Sequence, residues 1–230
     1  MASIVVAGDT SGTVTLAAPA VSGTTTLTLP TTSGTIVTTS GSQTIEFADG
    51  SASTPSITNS GDTNTGMFFP AADTIAFAEG GVEAMRLDAS GRVTKPFQTA
   101  FLAQAVQTDT TYSGVGTLIP FPNEVFDIGN NYDASISRFT APVTGIYLVS
   151  WSCWNTSATT SRSALYKNGS VYKSSVNSDP ISTRHNGGGD QANGVTIPVQ
   201  LSVGDYIEVR VYGNAITQFW MNYFSAYLLG

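Results

Sequence analysis

The sequence is poor in the residues from which active sites are usually built. Its 230 residues include one histidine, His185, and one cysteine, Cys153. A single imidazole cannot make a His-rich metal site, and a single thiol cannot close an intrachain disulfide. Cys153 falls in the apolar run 146–154, where it reads as a buried, inert thiol. Charge is scarce too: 11% of residues are charged and the formal net charge is −7. No Lys or Arg precedes Arg86, whereas Asp9, Glu46, Asp49, Asp62, Asp73, Glu79 and Glu83 do. Residues 86–230 hold nine acids and nine bases, so the whole excess lies in residues 1–85. A chain without a basic stripe suits no phosphate backbone, which argues against nucleic acid as a partner. No apolar run approaches the roughly 20 residues of a membrane helix. The opening Met-Ala-Ser-Ile-Val-Val-Ala-Gly-Asp has no basic n-region. The expectation is a soluble protein with no membrane insertion, no secretory signal and synthesis in a reducing cytoplasm. Helix is missing as well, since no window sustains a 3.6-residue apolar period. The fold class is therefore read as all-β.

What the chain has in quantity is small, hydroxylated and turn-forming. Of residues 1–45, 24 are Ser, Thr or Gly. Ser-Gly-Thr returns every 11 residues, at Ser11-Gly12-Thr13, Ser22-Gly23-Thr24 and Ser33-Gly34-Thr35, and Pro19 and Pro30 keep the same period. Each beat opens a run that mixes Thr with Val, Leu or Ile, which predicts short strands over 13–16, 25–29 and 35–38. Such a unit has too little to bury to offset its ordering entropy, so it must borrow neighbours, either further repeats or other chains. Residues 1–45 read as an anchoring segment.

Residues 46–95 change texture. After the turn-rich 61–66 come Met67-Phe68-Phe69, Thr74–Ala78 and Val82–Leu87, separated by Pro70–Asp73 and Glu79-Gly80-Gly81 and closed by Asp88–Gly91. This predicts a small β-meander whose core is thin for a single copy. Lys95-Pro96 marks a boundary, and residues 96–230 carry all three Trp and all nine Tyr. Strands are expected at 101–106, 138–140, 145–154, 195–201, 206–212 and 219–229. Leu165-Tyr166 and Val171-Tyr172 flank Lys167-Asn168-Gly169-Ser170, an Asn-Gly hairpin signal. Short strands with aromatic interiors read as a sandwich or jelly roll.

Three runs in this part carry a resemblance. They are Phe139-Thr-Ala-Pro-Val-Thr-Gly145-Ile-Tyr147-Leu-Val149, Val199-Gln-Leu201-Ser-Val203-Gly204-Asp205-Tyr206-Ile207-Glu-Val209 and Tyr223-Phe224-Ser225-Ala226-Tyr227-Leu228-Leu229. In this order they resemble strand pairs of the complement C1q/TNF-like globular heads over residues 97–230. Gly shows no collagen-like Gly-X-Y period, which removes that family's usual stalk and its animal-complement role from consideration. The Ser-Gly-Thr repeats, Asp62-Thr-Asn-Thr-Gly66-Met-Phe-Phe-Pro70 and Glu83-Ala-Met85-Arg86-Leu87-Asp88 resemble shaft modules of tailed-bacteriophage fibres. Together these resemblances imply a homotrimer whose repeat/meander shaft precedes a C-terminal jelly-roll head. Phe139, Tyr147, Tyr223, Phe224, Tyr227 and Leu228 would lie on the trimer-core strands, and the repeats at Ser11, Ser22 and Ser33 would be the anchor. Residues 1–95 would bind other virion proteins.

No catalytic, cofactor or metal site is expected. His185 lies among Asp179-Pro-Ile-Ser-Thr-Arg184-His185-Asn186-Gly-Gly-Gly-Asp190, a Gly-rich loop that orients no triad. Polar loops on a rigid sandwich are where recognition usually sits. The candidate ligand residues are Arg162, Arg184, His185, Asn186 and Asp190, in loops 156–162 and 178–194, with Trp154, Asn155 and Tyr172 nearby. Aromatic rings stack on sugars while Arg and amides bond hydroxyls, so the expected partner is a host surface glycan or protein. The expected function is a non-enzymatic structural component of a virion, exposed on a surface appendage or the capsid exterior. The alternatives are a capsid decoration, cement or head-fibre protein, and a glycan-degrading tailspike using paired acids such as Asp179 and Asp190.

Overall fold

The computed structural model describes residues 3–7, 13–17, 45–106, 110–155, 161–173, 181–185, 191–217 and 221–230. Every regular element among them is a strand. The chain divides into two compact units, residues 1–46 and 47–230. In the first unit β1 (Ser3–Ala7) and β2 (Thr13–Ala17) pair antiparallel, with Ile4 opposite Leu16 and Val5 opposite Thr15. Thr13 opens β2, as the repeat predicts. Ser11, Gly12, Ser22, Gly23, Thr24, Ser33, Gly34 and Thr35 lie outside the described residues.

The second unit begins with a five-stranded meander: β3 (Ile57–Asn59), β4 (Asp62–Phe68), β5 (Ile75–Glu79), β6 (Val82–Leu87) and β7 (Val93–Thr94), in that sheet order. Its faces differ sharply. On one, Phe68, Ala76 and Ala78 are buried beneath Ala52. Glu83 stands opposite Ala78 and Arg86 opposite Ala76, and the two pair at 2.5 Å. On the other, register aligns Ile57, Met67, Phe77 and Met85 in one row and Ile75, Leu87 and Val93 in a second. Nothing described covers those rows, and Phe77 is 38% exposed.

The head follows: β8 (Ala100–Gln104), β9 (Thr111–Tyr112), β10 (Asn123–Ile128), β11 (Tyr132–Asp133), β12 (Arg138–Thr140), β13 (Gly145–Asn155), β14 (Ser161–Lys167), β15 (Ser170–Val171), β16 (Ser182–His185), β17 (Gln191–Leu201), β18 (Tyr206–Val211), β19 (Ile216–Thr217) and β20 (Tyr223–Leu228). One sheet runs β10-β8-β20-β13-β17; the other runs β11-β12-β18-β14-β15 with β16 also on β14, and β9 pairs β19 apart from both. The pairings nest: β8 with β20, β12 with β18 and β13 with β17, as in a jelly-roll sandwich.

The core lies between these sheets. Phe101 stacks on Tyr132 and Phe139 at 4.4 and 5.0 Å and meets Phe224 edge-on. Tyr147, Trp151, Leu165, Ile207 and Val209 complete the same cluster. Trp151 donates its indole N–H to Ser163 Oγ at 3.1 Å, so this buried ring leaves no polar atom unpaired. Two glycines are demanded by geometry. Asn168 and Gly169 have φ of 51° and 77°, the left-handed pair that a tight hairpin between β14 and β15 requires. At Gly145 a Cβ would sit 2.8 Å from Leu228 Cδ1 and 3.0 Å from the Gly230 carbonyl, so a side chain there would force Leu228 and the end of the chain to shift where β20 pairs with β13.

Candidate functional site

Strand alternation sends Phe101, Tyr147, Val149, Trp151, Phe224 and Ala226 of the five-stranded sheet inward. The residues between them form its outer face. Register places Ile128, Ala100, Tyr227, Leu148 and Pro198 in one row, and Phe126, Leu102, Ser225, Ser150 and Thr196 in the next. Apolar groups dominate at the β10 side; Phe126 is 45% and Tyr227 47% exposed. Hydroxyls dominate at the β17 side, where Ser150 Oγ lies 2.8 Å from Thr196 Oγ1 and 3.2 Å from Tyr223 Oη. A shallow groove of about 260 Å³ runs between Leu102, Phe126, Leu148 and Tyr227. Neither row contains a charged residue. An uncharged sheet face of this extent, with large apolar side chains half out of water, has the chemistry of an interface.

The six residues assigned to trimer-core strands divide between the two faces. Phe139, Tyr147 and Phe224 are fully buried in the sandwich core, and Leu228 packs against that core. Tyr223 and Tyr227 are on the open face, at alternate positions of β20. The strands are those expected, but four of the six side chains turn inward. The open face instead carries Leu102, Phe126, Ile128, Ile146 and Leu148, all exposed or half-buried.

The six-stranded sheet presents a different surface. Glu208 is 1% exposed and lies between Arg138, 2.7 Å away, and Arg210, 2.6 Å away. Arg138 also caps the Tyr206 ring at 3.9 Å, and Arg210 donates to the Gly116 carbonyl at 2.7 Å. Of the candidate ligand residues, Arg162, Arg184 and His185 are on strands of this sheet where loops were expected. Arg162 is the second residue of β14, Arg184 the third of β16 and His185 its last. Trp154 and Asn155 end β13, and the Trp154 amide donates to Asn222 Oδ1 at 2.6 Å. Tyr172 is half-buried against the core and follows β15. Asn186 and Asp190 lie outside the described residues, as does Asp179.

Three features had no counterpart in the sequence reading. One is the Arg138–Glu208–Arg210 group; a lone Glu between two apolar positions of a strand was its only signal. The second ties two turns together. Asp205 accepts from Lys167 Nζ at 2.7 Å, from Asn168 Nδ2 at 2.6 Å and from the Ser202 amide at 2.7 Å. These donors, the lysine first, hold its carboxyl down at about 2. The third is a polar concavity of about 610 Å³ lined by Asn130, Asn131, Asp133, Ser135 and Thr140. Cys153 is fully buried, and burial pushes its thiol up to about 12, which leaves it unreactive. No cluster of His, Cys, Asp and Glu able to hold a metal occurs among the described residues. No helix among them is long and apolar enough to cross a membrane.

The model of the C1q domain matches residues 100–229. The globular domain of zebrafish complement 1qA is 14% identical and aligns over 58% of this chain and 98% of its own length, at a TM-score of 0.44. Murine APRIL is 16% identical over 57% of this chain and 99% of its own, at 0.45. Eiger TNF from S. frugiperda is 12% identical over 59% and 94%, at 0.42. Among curated proteins, none matches the chain.

Proposed function

Since the chain belongs to the C1q domain family through residues 100–229, we propose that it is a non-enzymatic homotrimeric fibre or spike of a phage virion. Residues 1–95 anchor and raise it, and the jelly-roll head attaches to the host surface. The observation that carries the assembly is the uncharged outer face of the five-stranded sheet, with Phe126, Leu148 and Tyr227 half out of water. Burying those side chains against another copy contributes on the order of 1 kcal/mol or more each. The number three comes from the resemblance to C1q/TNF-like heads, and the virion from that of the Ser-Gly-Thr segment to fibre shafts.

Light scattering on the full chain tests the assembly. The expected mass is three times the 23.9 kDa chain, and Leu148→Asp, which places a carboxylate in the middle of the apolar row, reduces it to one. A wild-type monomer at micromolar concentration overturns the reading. A second reading, a capsid decoration or cement protein, is favoured by the short reach of the anchor: β1 and β2 have five residues each, about 17 Å of extended strand. Imaging gold-labelled protein on intact particles separates the two, with label at the tail for a fibre and over the capsid for a cement protein.

A further inference from the structure

The described residues include six arginines, and four of them sit on carboxylates: Arg86 on Glu83, Arg92 on Asp88, and Arg138 and Arg210 on Glu208. The other two, Arg162 and Arg184, have no carboxylate partner among the described residues. They are also directly opposite each other, paired across β14 and β16. Like charges in that position destabilise a sheet. Among the described residues the neighbouring positions offer no carboxylate to relieve this. The Tyr212 amide donates to the Arg162 carbonyl at 2.8 Å, extending the row past β18. In the next row Ala164 lies between Arg210 on β18 and Ser182 on β16. Arg210 adds a third positive charge one row away on β18, its guanidinium held by Glu208 and the Gly116 carbonyl, and Glu208 is already shared with Arg138. Among the described residues no carboxylate pairs with Arg162 or Arg184, in a chain whose formal net charge is −7.

We propose that Arg162 and Arg184 form an anion site on the outer face of β14, β16 and β18, and that its ligand is the acidic group of a surface polysaccharide. The two guanidiniums supply paired N–H donors for a carboxylate, sulfate or phosphate oxygen pair. Arg210, whose donors are engaged, supplies charge alone, and the Ser182 hydroxyl borders the site. A bound anion removes the cross-strand repulsion, so binding and sheet stability are coupled. A polysaccharide fits better than nucleic acid because the basic cluster spans two strand rows and the rest of the chain is acidic. The proposal rests on the reading of the head as an attachment domain for the source of its ligand, but not for the site itself.

The test is interferometry of the full chain on dextran sulfate, polygalacturonate, a phosphate-bearing teichoic acid, neutral dextran and single-stranded DNA. At least one acidic polysaccharide is expected to bind, the preferred one identifying the acidic group, while neutral dextran does not. The double variant Arg162→Gln/Arg184→Gln should bind about tenfold more weakly or worse, and Arg→Lys at both positions should fall between, since charge remains and the fork is lost. Without ligand the Gln variant should melt no lower than wild type, and dextran sulfate should raise the melting temperature of wild type alone. Retained binding by the Gln variant, binding to no acidic polymer, or equal binding to DNA overturns the site. Cell adsorption separates the two readings. If the Gln variant adsorbs to host cells like wild type, attachment stands and the site falls; if wild type adsorbs to no cells yet holds the acidic polymer through these arginines, the site stands and attachment falls.

Discussion

The meander of β3–β7 and the sandwich of β8–β20 are made of the same short antiparallel strands, but they solve burial differently. The sandwich closes two sheets over twenty buried residues, among them Trp151, Tyr147 and four phenylalanines or tyrosines in ring contact with Phe101 or one another. The meander is one sheet whose buried apolar cluster has three residues, Phe68, Ala76 and Ala78, and most of its other large apolar side chains are on the uncovered face. Hydrophobic stabilisation scales with apolar area removed from water, so the head holds itself together while the meander's strands contribute little until something covers Ile75, Phe77 and Leu87.

The comparison is sharpest where a single core side chain is removed. Trp151→Ala deletes a ring with no exposed surface and the N–H that bonds Ser163 Oγ, which is left with Thr183 Oγ1 alone. The expected loss is about 3–5 kcal/mol, read as a drop in the urea midpoint of the head followed by far-ultraviolet circular dichroism. A loss below ~1 kcal/mol would mean that the head core is loosely packed and that the contrast with the meander is false.

Phe77→Asp probes the other side of the contrast. On an isolated sheet the ring is 38% exposed, and a substitution there changes stability by no more than about 0.5 kcal/mol. If the proposed homotrimer also buries the meander's uncharged rows against neighbouring copies, an unpaired carboxylate among them is far more costly. Trypsin should then cut the variant at Arg86 and Arg92 while the head beyond residue 100 survives. Digestion identical to wild type breaks the claim that copies cover this face.

What the sequence discloses of this architecture follows from how local each cause is. The strand over 145–154 was legible because its inward positions, Tyr147, Val149, Trp151 and Cys153, alternate without interruption. The Asn168-Gly169 turn was legible because left-handed backbone selects those residues. β10 was missed because a register shift between Glu124 and Phe126 breaks its period. β16 was missed because Ser-Thr-Arg-His is polar along its whole length. Arg162 and Arg184 were singled out by residue type as loop positions, but their opposition exists only through the β14–β16 register. Glu208 and Arg138 are 70 residues apart, and no spacing rule reaches that far. Likewise Phe139 and Phe224 could be placed on the right strands by pattern, while which way each ring faces depends on the second sheet.

The smallest expected effect concerns the turns, where the two regions use the same device. In the meander Asp88 accepts from the Arg92 and Ser90 amides and the Arg92 guanidinium, and the Arg92 amide is the main reason its carboxyl is held low. In the head Asp205 is held at about 2 by Lys167, Asn168 and the Ser202 amide. A carboxyl lowered on folding contributes stability that is fully present above its unfolded value of about 4 and is lost as pH falls through the folded value. The Asp205 contribution should therefore vanish between about pH 4 and pH 2. Hydrogen exchange at the Asn168 and Tyr206 amides, which bond across this turn pair at 3.0 and 2.9 Å, should accelerate over that interval beyond the change at core amides such as Val209. Asp205→Asn should flatten the difference without moving the core, because the clamp acts on the turn alone. If the amides respond alike in both proteins, the clamp is a consequence of the sandwich rather than a support for it, and the head needs no more from its turns than the meander does.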